Sequence, residues 1–166
     1  NQRFQPEHVK IKELLDRDAI GRIVALRFDC NQFVKHMYPP DSWIFDKSLS
    51  GGGMVAQTAV HKIDLMRHFF GEITEVAAFQ GYTGLNPGYQ PGGNEDIVAI
   101  LMTFASGIIG EAFYLFGAYK TPIPTMTHEL TTGGGRGYLR IATEEAFATR
   151  EQVDAYLRMV KDGSAD

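Results

Sequence analysis

The chain has 166 residues, 44% of them hydrophobic, a formal charge of −4 and an isoelectric point near 5.7. That is enough apolar material to bury one core, or one core plus an appendage, while the acidic balance argues against nucleic acid or an anionic membrane surface as partner. A single cysteine, Cys30, precludes an internal disulfide and suits a reducing, cytoplasmic compartment, and no apolar run nears the roughly 20 residues that a membrane-spanning helix needs.

In chain order, Pro6 to Asp18 predicts a helix, with Pro in its first turn, Ile11, Leu14 and Leu15 inward, and Gly21 beyond its end. Ile23 to Cys30 alternates as a strand, Val24, Leu26, Phe28 and Cys30 sharing one face. In that setting Cys30 reads as a small buried apolar group. Asn31 to Ser50 reads as a long loop carrying Pro39-Pro40 and the only tryptophan, Trp43. Trp43 either lines a substrate pocket or anchors the loop.

Ser50-Gly51-Gly52-Gly53 then feeds an amphipathic helix running to Phe70. At about 100° per residue, Val55, Ala59, Ile63, Met66 and Phe70 form an apolar stripe. Gln57, His61, Asp64 and His68 gather opposite. An imidazole beside a carboxylate and an amide is equipment for proton transfer. A plain solvated face is the alternative, though such faces usually carry Lys and Glu. The glycines allow close backbone approach at the helix start, where free N–H groups attract oxyanions. Gly51 to Ala56 fits G-x-G-x-x-A literally, but Trp43 to Ser48 is too short and polar to be the strand of a dinucleotide fold. It is rejected as a cofactor fingerprint.

Ile73 to Gln80 reads as a strand and Tyr82 to Gly93 as a loop. Asp96 to Phe104 and Ile108 to Tyr119 read as strands joined by a hairpin at Ala105-Ser106-Gly107. Ile97, Ala99, Leu101 and Thr103 would share one face, Val98, Ile100, Met102 and Phe104 the other. With both faces apolar, helices would cover one and a second subunit the other. Thr121 to Thr125 is a Pro-broken linker, and Met126 to Gly137 reads as polar and Gly-rich, with His128 in a flexible-looking segment. Tyr138 to Ala142 is a short strand and Thr149 to Asp162 a helix, with Thr149 and Gln152 at capping-box positions. His8 and His36 read as solvated or loop residues. His61 and His68, without H-E-x-x-H, are poor zinc ligands. The expected fold is α+β: an open, mostly antiparallel sheet with helices on one face, followed by a short strand–helix appendage.

Gly51-Gly52-Gly53 followed by His61-x-x-Asp64 resembles the substrate-domain signature of the Gfo/Idh/MocA oxidoreductases. Asn1 to Pro6 is similar to that family's N-x-R-F-x-P, and Lys12 to Ile23 to its k-x-l-i-x-x-G-x-I-G-x-I segment. The resemblance implies NAD- or NADP-dependent chemistry on a sugar, polyol or related hydroxyl or carbonyl compound, and a homo-oligomer built on the sheet face. It implies His61 as acid/base, Asp64 as its orienter or as a hydroxyl ligand, and Arg3 and Gln57 facing substrate with them. Many members carry Asp four residues before the histidine; this chain has Gln57, which hydrogen-bonds but takes no proton. The family's Rossmann G-x-G-x-x-G and Glu-Lys-Pro motifs are missing, and the chain opens at Asn1. It therefore reads as a piece beginning after a cofactor domain, inactive alone.

Tyr138 to Arg150 resembles the amino-terminal end of the metal-dependent aromatic acid decarboxylases of the amidohydrolase superfamily, of the 5-carboxyvanillate decarboxylase type. That resemblance implies Glu144 as a ligand to a divalent metal, with Ala146 where the superfamily has a second histidine. The expected division is residues 1–125 as the oxidoreductase unit and 126–166 as the appendage, in a product that either spans two neighbouring coding regions or joins two sequences artificially. Two alternatives stay open: a decarboxylase fragment in which Glu144 matters, and a non-catalytic oligomerisation module. The tail also reads as the oxidoreductases' G-x-x-G-x-L-x-I strand, leaving Glu144 and Glu145 as surface charges.

Overall fold

The structure is a computed structural model in which residues 1–32, 38, 39, 41–85, 89, 91–116, 126–132 and 138–143 are described; at Gln32 and in the last two stretches, Leu130 excepted, this means the backbone alone. Helix α1 (Pro6–Asp16) precedes strand β1 (Ile23–Gln32). A 3-10 turn (Trp43–Phe45) and the one-turn helix α2 (Lys47–Ser50) come next. A π-helical turn (Val55–Ala59) then runs directly into α3 (Val60–Phe70). Strands β2 (Ile73–Gly81), β3 (Ile97–Phe104), β4 (Ile109–Phe116), β5 (Met126–Thr132) and β6 (Tyr138–Thr143) complete the described elements.

These strands form one sheet in the order β2-β3-β4-β1-β5-β6. β1 runs parallel to β4, and every other neighbouring pair is antiparallel. The expected α+β class is what is found. The β3–β4 hairpin forms where Ala105-Ser106-Gly107 placed it: Gly107 takes φ +83° and Phe104 exchanges backbone hydrogen bonds with Ile108 and Gly107. Along β3 the side chains at 98, 100, 102 and 104 are buried under the helices, and those at 99 and 101 are exposed on the other face. Phe28, Cys30, Met54, Val98 and Tyr114 lie at the centre of the core, with Ile11 of α1 and Met66 of α3 packed onto it, and Leu65 of α3 is buried as well. β2 is an edge strand exposed along nearly its whole length. No described helix is long and apolar enough to cross a membrane.

The structure corrects two sequence expectations here. The 31–50 loop contains helical turns at Trp43–Phe45 and Lys47–Ser50, the second capped by Asp46, whose carboxylate accepts the Ser48 N–H at 2.8 Å. Residues 126–132, read from the sequence as part of a polar, flexible-looking segment, pair with β1 along almost its entire length. An edge N–H row beside β1 is satisfied that way, whatever the polarity of the strand supplying it. The predicted 121–125 linker and 149–162 helix lie outside the described residues.

The start of α3 departs from a regular helix. The Val60 N–H reaches back to the Val55 carbonyl, an i−5 bond that inserts one extra residue into the turn. The predicted stripe nevertheless faces the core: Ala59 and Met66 are buried in it, and Val55, Ile63 and Phe70 pack against it. The inward set is Ala59, Lys62, Leu65 and Met66, while Ile63 is half-buried. Lys62 is 6% exposed. Its ammonium lies 5.8 Å from the centroid of the Phe28 ring, and no ion pair is formed with it among the described residues. Burial lowers its pKa, countered by the nearby Cys30 and Glu7. The Cys30 thiol, itself fully buried, is pushed up to about 12 by that burial. It is the inert core residue the sequence implied.

Because folded Lys62 titrates below its unfolded value of about 10.4, the unfolded chain holds an extra proton between the two pKa values, and stability rises with pH across that window. Replacing the desolvated ammonium in Lys62→Met is expected to stabilise by about 1–2 kcal/mol at neutral pH. It should also remove that alkaline rise. Urea unfolding of both proteins over a pH series measures this, and identical pH slopes would show the ammonium to be solvated.

Candidate substrate site

Three polar residues at the threshold of β3, Asn94, Glu95 and Asp96, build the site from below, and all three are buried. The Glu95 carboxylate accepts the Gly53 N–H at 3.0 Å and the Val55 N–H at 3.1 Å, and its backbone carbonyl accepts the Met54 N–H at 3.3 Å. The free amides of the helix start, expected to attract a ligand oxyanion, are thus taken by an internal one. A Cβ at Gly53 would collide with the Glu95 carbonyl and carboxylate, so the close approach requires glycine there. A dinucleotide pyrophosphate does not fit this turn, because its charge would meet Glu95. The rejection of Gly51 to Ala56 as a cofactor fingerprint rests on that geometry as well as on the sequence.

Gln57 is in the middle of the π-turn. Its Nε2 donates to the Ile44 carbonyl and to the Gly52 carbonyl, each at 2.8 Å, and its Oε1 accepts from the Tyr89 hydroxyl at 3.1 Å. Two carbonyl acceptors fix which end of the amide points where. Asn94 Nδ2 donates to the same Ile44 carbonyl at 3.0 Å and to Ser50 Oγ at 2.9 Å. Asp96 accepts the Thr83 N–H at 2.7 Å and its hydroxyl at 2.6 Å. Burial and neighbouring carboxylates hold the Tyr89 hydroxyl above its ordinary pKa, so it stays a donor. Sequence reasoning placed Gln57 toward substrate; the structure commits its polar atoms to the 44, 52 and 89 backbone and side-chain partners. It missed Tyr89, Asn94, Glu95 and Asp96. The available signal was a run of three polar residues abutting an apolar strand, where burial forces each to find partners.

The other predicted residues come together on α3 and the first turn of the chain. His61, Asp64 and His68, at i, i+3 and i+7, share one face, and His61 is exposed. Arg3, in the 3-10 turn Gln2–Phe4, closes a two-pronged pair with Asp64: Nε donates to Oδ2 at 2.7 Å and Nη2 to Oδ1. The Arg3 hydrogen bond, followed by its charge and more weakly by His68, holds the Asp64 carboxyl below the usual range. Asp64 in turn raises the Arg3 guanidinium. The carboxylate predicted to orient His61 or take a hydroxyl is therefore turned toward Arg3. His8, expected to be solvated, is only 3% exposed: Nδ1 is 2.7 Å from the Gln2 carbonyl and the ring lies 6.0 Å from Phe69. Burial lowers its pKa, the price of tying the first turn to α3. Among the described residues no group of three His, Cys, Asp or Glu side chains could hold a metal. His36 and Glu144 lie outside the described residues.

Two outcomes test this arrangement. Glu95→Gln keeps one acceptor but turns an N–H₂ group toward an amide donor, and is expected to cost about 1–3 kcal/mol with faster hydrogen exchange at Gly53 and Val55. Unchanged exchange at both amides would refute the capping role. Arg3→Ala is expected to raise the Asp64 pKa toward about 3.9. In the intact chain the pair contributes above that pH and is lost as pH falls through the depressed folded value, which a carboxyl NMR titration of both proteins follows.

The pattern of the GFO/IDH/MocA C-terminal domain matches residues 8–139. A levoglucosan dehydrogenase of Pseudarthrobacter phenanthrenivorans is 35% identical over 79 residues, 47% of this chain and 20% of that protein. An inositol 2-dehydrogenase of Mycolicibacterium gilvum is 35% identical over 102 residues, 61% of this chain and 26% of the relative. The chain therefore spans about a quarter of the length of these relatives. Among solved structures, levoglucosan dehydrogenase in complex with NADH and levoglucosan superimposes with a TM-score of 0.69 at 28% identity, covering 84% of this chain and 38% of that one. An NAD-binding oxidoreductase from Klebsiella pneumoniae shares the fold, with a TM-score of 0.70 at 24% identity over 88% of this chain and 39% of its own. With its sheet, its glycine turn and its H-x-x-D helix in this order, the chain belongs to the GFO/IDH/MocA C-terminal domain family.

Proposed function

We propose that this chain is the substrate-side and assembly domain of an NAD(P)-dependent oxidoreductase acting on a cyclic polyol or sugar, with His61 moving the proton. One observation carries the reading: an exposed imidazole on α3, on the same helix face as the Arg3–Asp64 pair. Oxidising a secondary alcohol removes a hydride from carbon and a proton from oxygen, and a neutral imidazole takes such a proton at physiological pH. The hydride passes to a nicotinamide, and the role assigned to this chain is the proton and the substrate hydroxyls. Gln57 cannot accept a proton and is bonded within the fold. The relay accordingly runs through His61 alone, with Arg3 and Asp64 placed to bind neighbouring hydroxyls. The dehydrogenases of levoglucosan and inositol among the relatives support a ring-shaped polyol as substrate.

The face of the sheet away from the helices supports assembly with a second copy, since Phe79 is 82%, Leu101 55% and Ile109 61% exposed there. Residues 126–132 pair with β1, and the family match extends to residue 139, which supports counting this part of the tail with the oxidoreductase unit.

The isolated chain is expected to show no NAD(P)-dependent oxidation of either polyol, while the His61 ring resonances shift on titration with levoglucosan or inositol. The Gln57 side-chain amide should stay unmoved. Turnover by the chain alone, or a titration that leaves His61 untouched, overturns the assignment.

A further inference from the structure

We propose that the indole of Trp43 is the platform on which the ring of the substrate stacks, an inference that rests on the polyol reading above and adds a recognition residue to it. Trp43 is 61% exposed, although it belongs to a firmly held turn. The carbonyl of the next residue, Ile44, receives N–H donors from both Gln57 at 2.8 Å and Asn94 at 3.0 Å, and Asn94 is fully buried. Ile44 itself is buried, and the Phe45 ring meets Tyr89 edge-on at 5.5 Å. Backbone bonds from Phe45 N–H to Ser42 and from Asp46 N–H to Trp43 close the turn.

The described residues flanking Trp43 in the chain are thus fixed while its side chain is largely exposed. An anchoring aromatic would be packed; this one is mounted. The mount also leads to the proton carrier, because the Gln57 amide that holds Ile44 belongs to the turn immediately before His61. A large, flat, apolar surface with little conformational freedom to lose suits a ligand that presents C–H groups on one face and hydroxyls at its rim. A pyranose or cyclohexane polyol is such a ligand: its axial C–H face meets the negative face of the indole, and its rim hydroxyls are left for His61, Arg3 and Asp64.

Trp43 is the only tryptophan of the chain, so intrinsic fluorescence reports on it alone. Levoglucosan is titrated into the full chain while the Trp43 emission and the His61 ring resonances are followed together, with an aromatic carboxylate such as benzoate in parallel. The expected result is one midpoint for both signals. Trp43→Ala should weaken the His61-detected affinity about 3- to 10-fold, Trp43→Phe should retain most of it, and both should unfold at the wild-type urea concentration. A His61 shift with unchanged emission and undiminished affinity in Trp43→Ala overturns the platform while leaving the proposed function standing. Silence at both residues overturns both. Response of Trp43 to benzoate but not to levoglucosan overturns the polyol as its ligand, and a lowered urea midpoint in Trp43→Ala reassigns the indole to packing.

Discussion

A single buried carboxylate organises the functional side of this molecule. Glu95 is inserted into the start of the glycine turn and binds the amides of Gly53 and Val55, while its own carbonyl takes that of Met54. Charge-assisted bonds of this kind are roughly twice as strong as neutral ones, and burying the carboxylate without them would be prohibitive. The turn and the carboxylate therefore require one another. Gly53 is glycine because Glu95 occupies the space of a side chain. The helix that follows can start only where β3 presents that carboxylate, so the sheet dictates where α3 begins.

From that junction the rest of the site hangs in sequence. Asn94 and Gln57 converge on one carbonyl, that of Ile44, and so bind the 43–45 turn to the helix start. Tyr89 brings the 82–93 loop to the other end of the same Gln57 amide. A residue that by position invites a part in proton transfer has become a structural crosspiece, with the donor and acceptor count of an amide that a carboxylate could not reproduce. This leaves His61 without a second base from that position and gives the first turn of the chain, through Arg3 and Asp64, the task of furnishing polar partners.

The helix has two faces. Toward solvent it presents His61, Asp64 and His68; toward the sheet it buries Lys62 over Phe28 beside Leu65 and Met66. A π-turn placed just before His61 is the kind of local irregularity expected beside a functional group.

Much was legible from the residues alone, for a definite reason. Alternation along residues 97–104, the Gly107 turn and the G-G-G…H-x-x-D spacing are local patterns, in which a residue's neighbours in the chain are also its neighbours in space. They determined the α+β class, the hairpin, the family and the candidate imidazole. Nothing local says that Gln57 meets Ile44 and Tyr89, that Arg3 pairs with Asp64 across 61 positions, or that Glu95 caps a helix 42 positions earlier. Those pairings exist because buried polar groups must find partners wherever the sheet happens to bring them, and only the tertiary structure decides which partners are within reach.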